Sequence, residues 1–198
     1  ARLPRTSAET AVRWWMPVSG GAAIAATVPP EASRYGASAM HELEPVTDKF
    51  LIEAPLIITA SVMLPDHSPE QVWEALGSER MWSWFPVIDQ LRWVTPEPRE
   101  AGCVRELRIG RAVTVREEFY RWDVNKRATF RVTHQSRKLL KGLAEDFLLD
   151  PQPGGGTYLT WTMCVAPIGP KPPRALAGIR GAGAGRARLR AGRAPGDA

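Results

Sequence analysis

The chain predicts an α+β fold, a curved antiparallel sheet with two short helices near its start. Three observations carry this. An alternating strand, LIITASVML at 56–64, leads directly into a capped amphipathic segment, SPEQVWEAL at 68–76. A Trp-rich turn, MWSWFPVID at 81–89, comes next. From there to residue 166 the pattern is strand after strand. A sheet built this way leaves a concave face to be filled, and a small apolar ligand suits such a hollow.

Each element has a local cause. In 56–64, Ile58, Ala60, Val62 and Leu64 alternate with Ile57, Thr59, Ser61 and Met63, the period of a strand. Asp66-His67 then turns the chain. Ser68 is a good N-cap, Pro69 suits the first helical position, and Gln71 completes a capping box. Val72, Trp73 and Leu76 form the buried stripe, and Gly77 ends the helix. A second short helix or turn is expected over 78–84, closed by Phe85-Pro86. Strands are expected at 88–95, 103–109, 112–122, 127–135, 143–149 and 156–166. Their breakers are PEP at 96–98, Gly110, DVNK at 123–126 and PQPGGG at 151–156. Short links between successive strands argue for antiparallel pairing over βαβ units.

The flanks differ from this centre. Residues 1–50 read as a disordered or extended arm, 51–169 as the ligand-binding domain, and 170–198 as a Pro/Gly/Ala/Arg-rich tail with at most a partial helix. Met40 looks like a native start, which would make 1–39 an upstream extension. The segment 11–28 faintly resembles a signal peptide, but Pro17, Gly20 and Gly21 interrupt its apolar centre. A cytoplasmic protein is therefore expected, and no apolar run is long enough to span a membrane.

Composition narrows the classes. A hydrophobic fraction of 44% is enough for a real core. The net charge of +5 misleads: seven of the 26 basic residues lie from Pro170 onward, with Asp197 the one acid there. That leaves 19 basic against 20 acidic residues in 1–169, so the domain itself has no field for nucleic acid. Cys103 and Cys164 make no disulfide framework and read as buried thiols. His41, His67 and His134 are too scattered for a metal site, and no phosphate loop or G-x-S-x-G elbow is present. Neither a metal nor a cofactor is expected.

The order strand, S-P-E-Q-V-W-E-A-L, W-F-P, then Val115, Glu117 and Asp123, then G-T-Y-L-T-W-T-M, resembles the polyketide cyclase/dehydrase and lipid-transport proteins of the START-like (SRPBCC) superfamily. The resemblance covers about 55–167. It implies a helix-grip (START/Bet v 1-like) fold, in which a seven-stranded sheet curls around a long C-terminal helix and encloses a hydrophobic cavity. This chain departs there, because 174–198 is Gly-rich and has no apolar face, so the C-terminal helix is expected to be truncated or degenerate.

Strand alternation sorts the candidate site residues. Val115, Glu117 and Phe119 share a face, as do Ala128, Phe130, Val132 and His134, and Leu159, Trp161, Met163 and Val165. All three sets are assigned to the concave side because each carries the larger apolar residues. Glu117 and His134 are then the polar exceptions in an apolar cup, able to act as base and acid on a polyketone. The competing reading pairs Glu117 with a strand arginine, Arg105 or Arg131, and makes His134 a half-exposed structural residue. Trp82, Trp84 and Phe85 are expected at the mouth of the cup, with plain core packing as the alternative. Phe119, Phe130, Leu159, Trp161 and Met163 complete the expected ligand-binding set.

The function expected is binding of a hydrophobic small molecule such as a lipid, quinone or polyketide. The first alternative is a cofactor-free polyketide cyclase/dehydratase using Glu117 and His134. The second is a protein- or RNA-interaction module acting through the Arg-rich tail. Ligand identity and oligomeric state are not readable from the chain.

Overall fold

The computed structural model of this 198-residue chain describes residues 40–82, 87–110 and 112–169. The strands are β1 (His41–Glu42), β2 (Leu56–Leu64), β3 (Ile88–Trp93), β4 (Val104–Ile109), β5 (Val113–Asp123), β6 (Arg127–Gln135), β7 (Leu140–Pro151) and β8 (Thr157–Pro167). The helices among the described residues are α1 (Phe50–Glu53) and α2 (Pro69–Gly77). The strands form one sheet in the order β2-β8-β7-β6-β5-β4-β3, each pair antiparallel. The long C-terminal helix implied by the family resemblance falls in 170–198, outside the described residues.

The capping box forms. The Ser68 backbone N–H donates to Gln71 Oε1 at 2.8 Å, and the Gln71 N–H donates to Ser68 Oγ at 3.4 Å. These bonds satisfy donors that the first helical turn leaves free. Val72 and Leu76 are buried, fixing the face α2 presents to the core. Its C-terminal carbonyl, Gly77 O, accepts from Trp93 Nε1 at 2.8 Å and Arg99 Nη1 at 3.3 Å, which anchors α2 to β3 and the loop after it. After α2 the described part of the expected second helix, up to Trp82, is a turn, with the Met81 N–H donating to Ser78 O.

The arm before β2 is a strap on the outer face. β7 pairs with β6 only as far as Arg131↔Ala144. Beyond that point β1 takes its place, with His41 opposite Gln135 and Glu42 opposite His134. Leu43 and Val46 are buried, and Asp48 pairs with Arg121. α1 then packs on β7 and β8, where the Cys164 thiol donates to Leu51 O. Gly142 permits this approach: a Cβ there would sit 3.0 Å from Val46 Cγ1 and 3.3 Å from Phe50 Cζ.

Two register slips decide which residues face the concave side. Arg116 lies opposite His134, but Glu117 lies opposite Val132, so β6 carries one extra residue, Thr133. Phe119 lies opposite Phe130, but Arg121 lies opposite Thr129, so β5 carries an extra residue, Tyr120. A bulge of one residue reverses every side chain beyond it. The first slip turns His134 to the outer face. The second brings Trp122 inward, with its ring centroid 5.0 Å from that of Phe119.

Candidate functional site

The concave face is lined by a continuous row of aromatic rings. Along the row, ring centroids are 5.2 Å apart for Trp93–Phe119, 5.0 Å for Phe119–Phe130, 6.2 Å for Phe130–Phe147 and 6.3 Å for Phe147–Trp161. Trp82 meets Trp161 edge-on at 5.8 Å. Leu159, Met163 and Val165 of β8 continue this face, in register with Val62, Ile58 and Leu56 of β2. Antiparallel neighbours directly opposite one another share a face, which is why side chains from six strands can build one apolar wall.

Three ionisable side chains interrupt it. Arg105 of β4 is 0% exposed, Glu117 of β5 is 4% exposed and Glu145 of β7 is 7% exposed. Arg105 Nε donates to Glu117 Oε2 at 2.5 Å, and Nη1 reaches Met81 Sδ at 3.0 Å. The guanidinium carbon lies 4.8 Å from the Phe119 ring and 4.7 Å from the Phe130 ring, a cation flanked by π-faces. Arg105 Nη2 is buried and has no hydrogen-bond partner among the described residues. Glu145 sits directly opposite Phe130, and its Oε2 accepts from Trp161 Nε1 at 2.8 Å.

The two carboxyls carry different charges. Burial pushes both upward. For Glu117 the Arg105 guanidinium opposes that rise. Glu145 is pushed up to about 8, first by burial and then by the negative charge of Glu117. A guanidinium stays charged, and a buried one needs a counter-ion. Glu117 supplies that charge through its hydrogen bond. Glu145 therefore holds its proton at neutral pH and is a hydrogen-bond donor in an apolar wall.

The residues singled out by the sequence fall in three places. Glu117, Phe119, Phe130, Leu159, Trp161 and Met163 lie together on the concave face, and Trp82 is buried against Trp161. Trp84 and Phe85 lie outside the described residues. His134 is not beside Glu117. The Thr133 bulge places it opposite Arg116 on the outer face, where Arg116 belongs to the Arg92–Glu106–Arg116 ion-pair ladder. Of the two arginines offered to Glu117, Arg105 takes it, while Arg131 pairs with Glu118 on the outer face at 3.2 Å. Glu145 was not expected in the site. Its signal is the phase of Leu143, Glu145, Phe147 and Leu149, an alternation in which one acid replaces an apolar residue.

Both cysteines are free and buried, and burial raises their thiols, Cys103 to about 11 and Cys164 to about 12. Among the described residues no group of three or more His, Cys, Asp or Glu could hold a metal ion, and no helix is long and apolar enough to cross a membrane. A groove of about 560 Å³ lies between α2 and the 97–99 loop, lined in part by Glu70, Trp73, Glu97, Arg99 and Trp122.

Comparison with known proteins agrees with this geometry. The family model for polyketide cyclase / dehydrase and lipid transport matches residues 56–193. An uncharacterized protein of Mycobacterium tuberculosis (strain ATCC 25618 / H37Rv) is 34% identical over 135 residues, covering 68% of this chain and 80% of that protein. An uncharacterized protein of Mycobacterium bovis matches to the same extent. Among solved structures, a START superfamily protein from Mycobacterium smegmatis superposes with a TM-score of 0.51 at 15% identity, covering 64% of this chain and 87% of that one. That likeness shows the fold, the START/Bet v 1-like curled antiparallel sheet.

Proposed function

The chain belongs to the polyketide cyclase/dehydrase and lipid-transport family, and on that premise we propose that it binds a hydrophobic small molecule, a lipid, quinone or polyketide, against the concave face of its sheet. The observation that carries this reading is the aromatic row from Trp93 to Trp161 with a polar cluster set into it. Burying about 300 Å² of apolar ligand surface contributes about 7 kcal/mol at about 25 cal/mol per Å². The cluster then orients the ligand's polar end. Two free buried thiols fit a reducing, cytoplasmic setting.

The test is native mass spectrometry of freshly purified protein, followed by organic extraction and analysis of what was bound. An apolar molecule at near-stoichiometric level is the expected result. Protein that arrives empty and takes up no apolar probe would overturn the reading.

One observation favours a second reading, an acid–base cyclase or dehydratase. Glu117 and Glu145 are two carboxyls of unequal charge on one face, able to serve as base and acid respectively. This replaces the pairing of Glu117 with His134, which the sheet separates. Under this reading Glu145→Gln loses turnover of a polyketone substrate while keeping its affinity. A pure carrier shows no turnover to lose. The Arg-rich tail, on which an interaction module would depend, lies outside the described residues.

A further inference from the structure

Arg105 is fully buried and incompletely hydrogen-bonded among the described residues. A fully buried guanidinium is costly, and native structures rarely leave one of its donors without an acceptor. Here Nε is satisfied by Glu117, Nη1 has only the weak acceptor Met81 Sδ, and Nη2 has none among the described residues. The rings of Trp93, Phe119 and Phe130 flank it, and their faces accept no conventional hydrogen bond. Glu145 lies directly opposite Phe130 on β7. With Trp161 already donating to Oε2, the protonated carboxyl of Glu145 has its own O–H to place. Two donors thus belong to one aromatic wall, and among the described residues no hydrogen bond is made by Arg105 Nη2.

The charge count restricts what can satisfy them. Among the described residues the groups that face or flank Glu145 are Arg105 from β4, Glu117 from β5, Trp161 from β8 and, behind the sheet, the thiol of Cys164 and the carboxylate of Asp146. Asp146 is neutralised on its own face by Arg127 at 2.8 Å. Arg105 and Glu117 cancel, so the concave cluster is neutral. A carboxylate ligand would bring an uncompensated negative charge into an apolar wall. An alkyl ammonium would bring only donors. A pure hydrocarbon would leave both donors empty.

Resting on the ligand-binding reading above, we propose that the ligand's buried end is a neutral carbonyl oxygen, that of a ketone, quinone or ester, which accepts hydrogen bonds from Arg105 Nη2 and from the Glu145 carboxyl. The oxygen completes the guanidinium's hydrogen bonding and leaves the site's net charge at zero. Selectivity for carbonyl compounds over fatty acids follows from the same two facts.

The experiment uses the full chain, freed of bound material by organic wash. It is titrated at about pH 6 with 2-tridecanone, dodecanoate and tridecane, following tryptophan fluorescence. The ketone is expected to bind about tenfold or more tightly than either of the others, the discrimination of one well-made hydrogen bond to a charged donor. Arg105→Lys keeps the positive charge Glu117 needs but removes Nη2. It should erase most of the ketone preference over tridecane, and a urea titration of the variant shows that it is folded. Should Arg105→Lys fail to fold, Glu145→Gln at about pH 10 serves instead: ionisation strips the Glu145 donor from the wild type but not from Gln, so the variant should keep the larger ketone preference there, and equal preferences overturn the Glu145 contact. Dodecanoate or tridecane binding as tightly as the ketone overturns the carbonyl assignment and leaves the ligand-binding reading standing. Failure of all three probes to bind overturns both.

Discussion

Replacing Glu145 by Gln removes one proton-binding site from the apolar face and should change how stability depends on pH. The carboxyl lies at about 8 in the folded protein against an ordinary 4.5. At about 1.4 kcal/mol per pH unit, that gap is worth about 5 kcal/mol between its two protonation states. Below pH 4.5 both folded and unfolded chains hold the proton, and stability does not depend on this group. Between 4.5 and about 8 the unfolded chain has released the proton while the folded protein still binds it. Each rise in pH then favours unfolding, so stability falls across this window and levels off above it. Glu117, also raised by burial, acts in the same sense. Asp48, held down chiefly by its hydrogen bond from Arg121, acts oppositely. So does Glu106, where burial works upward but Arg116 and Arg92 outweigh it. Their contribution is lost only as pH falls below the ordinary carboxylate range, outside the window of Glu145. The assay is urea unfolding followed by tryptophan fluorescence from pH 5 to pH 9, wild type against Glu145→Gln. The two proteins should match near pH 5 and diverge steadily, the variant ending about 5 kcal/mol more stable near pH 9. Because whole domains are stable by only about 5–15 kcal/mol, such a gap is readily measured. Parallel curves would refute the reasoning, since they would mean that Glu145 titrates alike in both states.

Other expectations follow from single contacts. Glu117→Gln leaves Arg105 buried without a counter-ion and should destabilise by about 3–5 kcal/mol in the same urea assay. Adding Arg105→Met to it should recover part of that loss, because the pair is then replaced by apolar surface. Gly156→Ala forces a Cβ to within 2.6 Å of Leu64 O and 2.7 Å of Pro65 O at a φ of +83°, so a loss of about 2 kcal/mol or more is expected as a drop in the urea midpoint. Gly142→Ala presses on Val46 and Phe50, and should raise amide exchange over 43–53 while leaving the core strands protected.

The residues show where sequence reasoning reaches its end. The capping box of α2, the alternation of β2 and β8, and the breakers at Gly110, 123–126 and 151–156 are all local, and each element lies within a few residues of where its own side chains put it. Glu117, Phe119 and Phe130 share a face because no bulge separates them. α1 carried no signal, being four residues long and held by isolated anchors rather than a periodic stripe. His134 went to the wrong face because one residue, Thr133, is inserted relative to β5, and an insertion is a property of two paired strands rather than of either alone. Glu145 was legible in principle, since it keeps phase with Leu143, Phe147 and Leu149, but Asp146 beside it makes the pair look like an ordinary solvated edge.

What this sequence determined alone is therefore α2, the strands β2 to β8 and the antiparallel class of the sheet, because hydrogen-bond caps, turn conformations and side-chain alternation act over a few residues. What the tertiary structure decided is the company each polar group keeps: Arg105 rather than Arg131 for Glu117, Glu145 facing the rings while His134 faces out. Those choices depend on register between strands far apart in the chain and on how much water burial removes, quantities that exist only once the sheet has closed on itself.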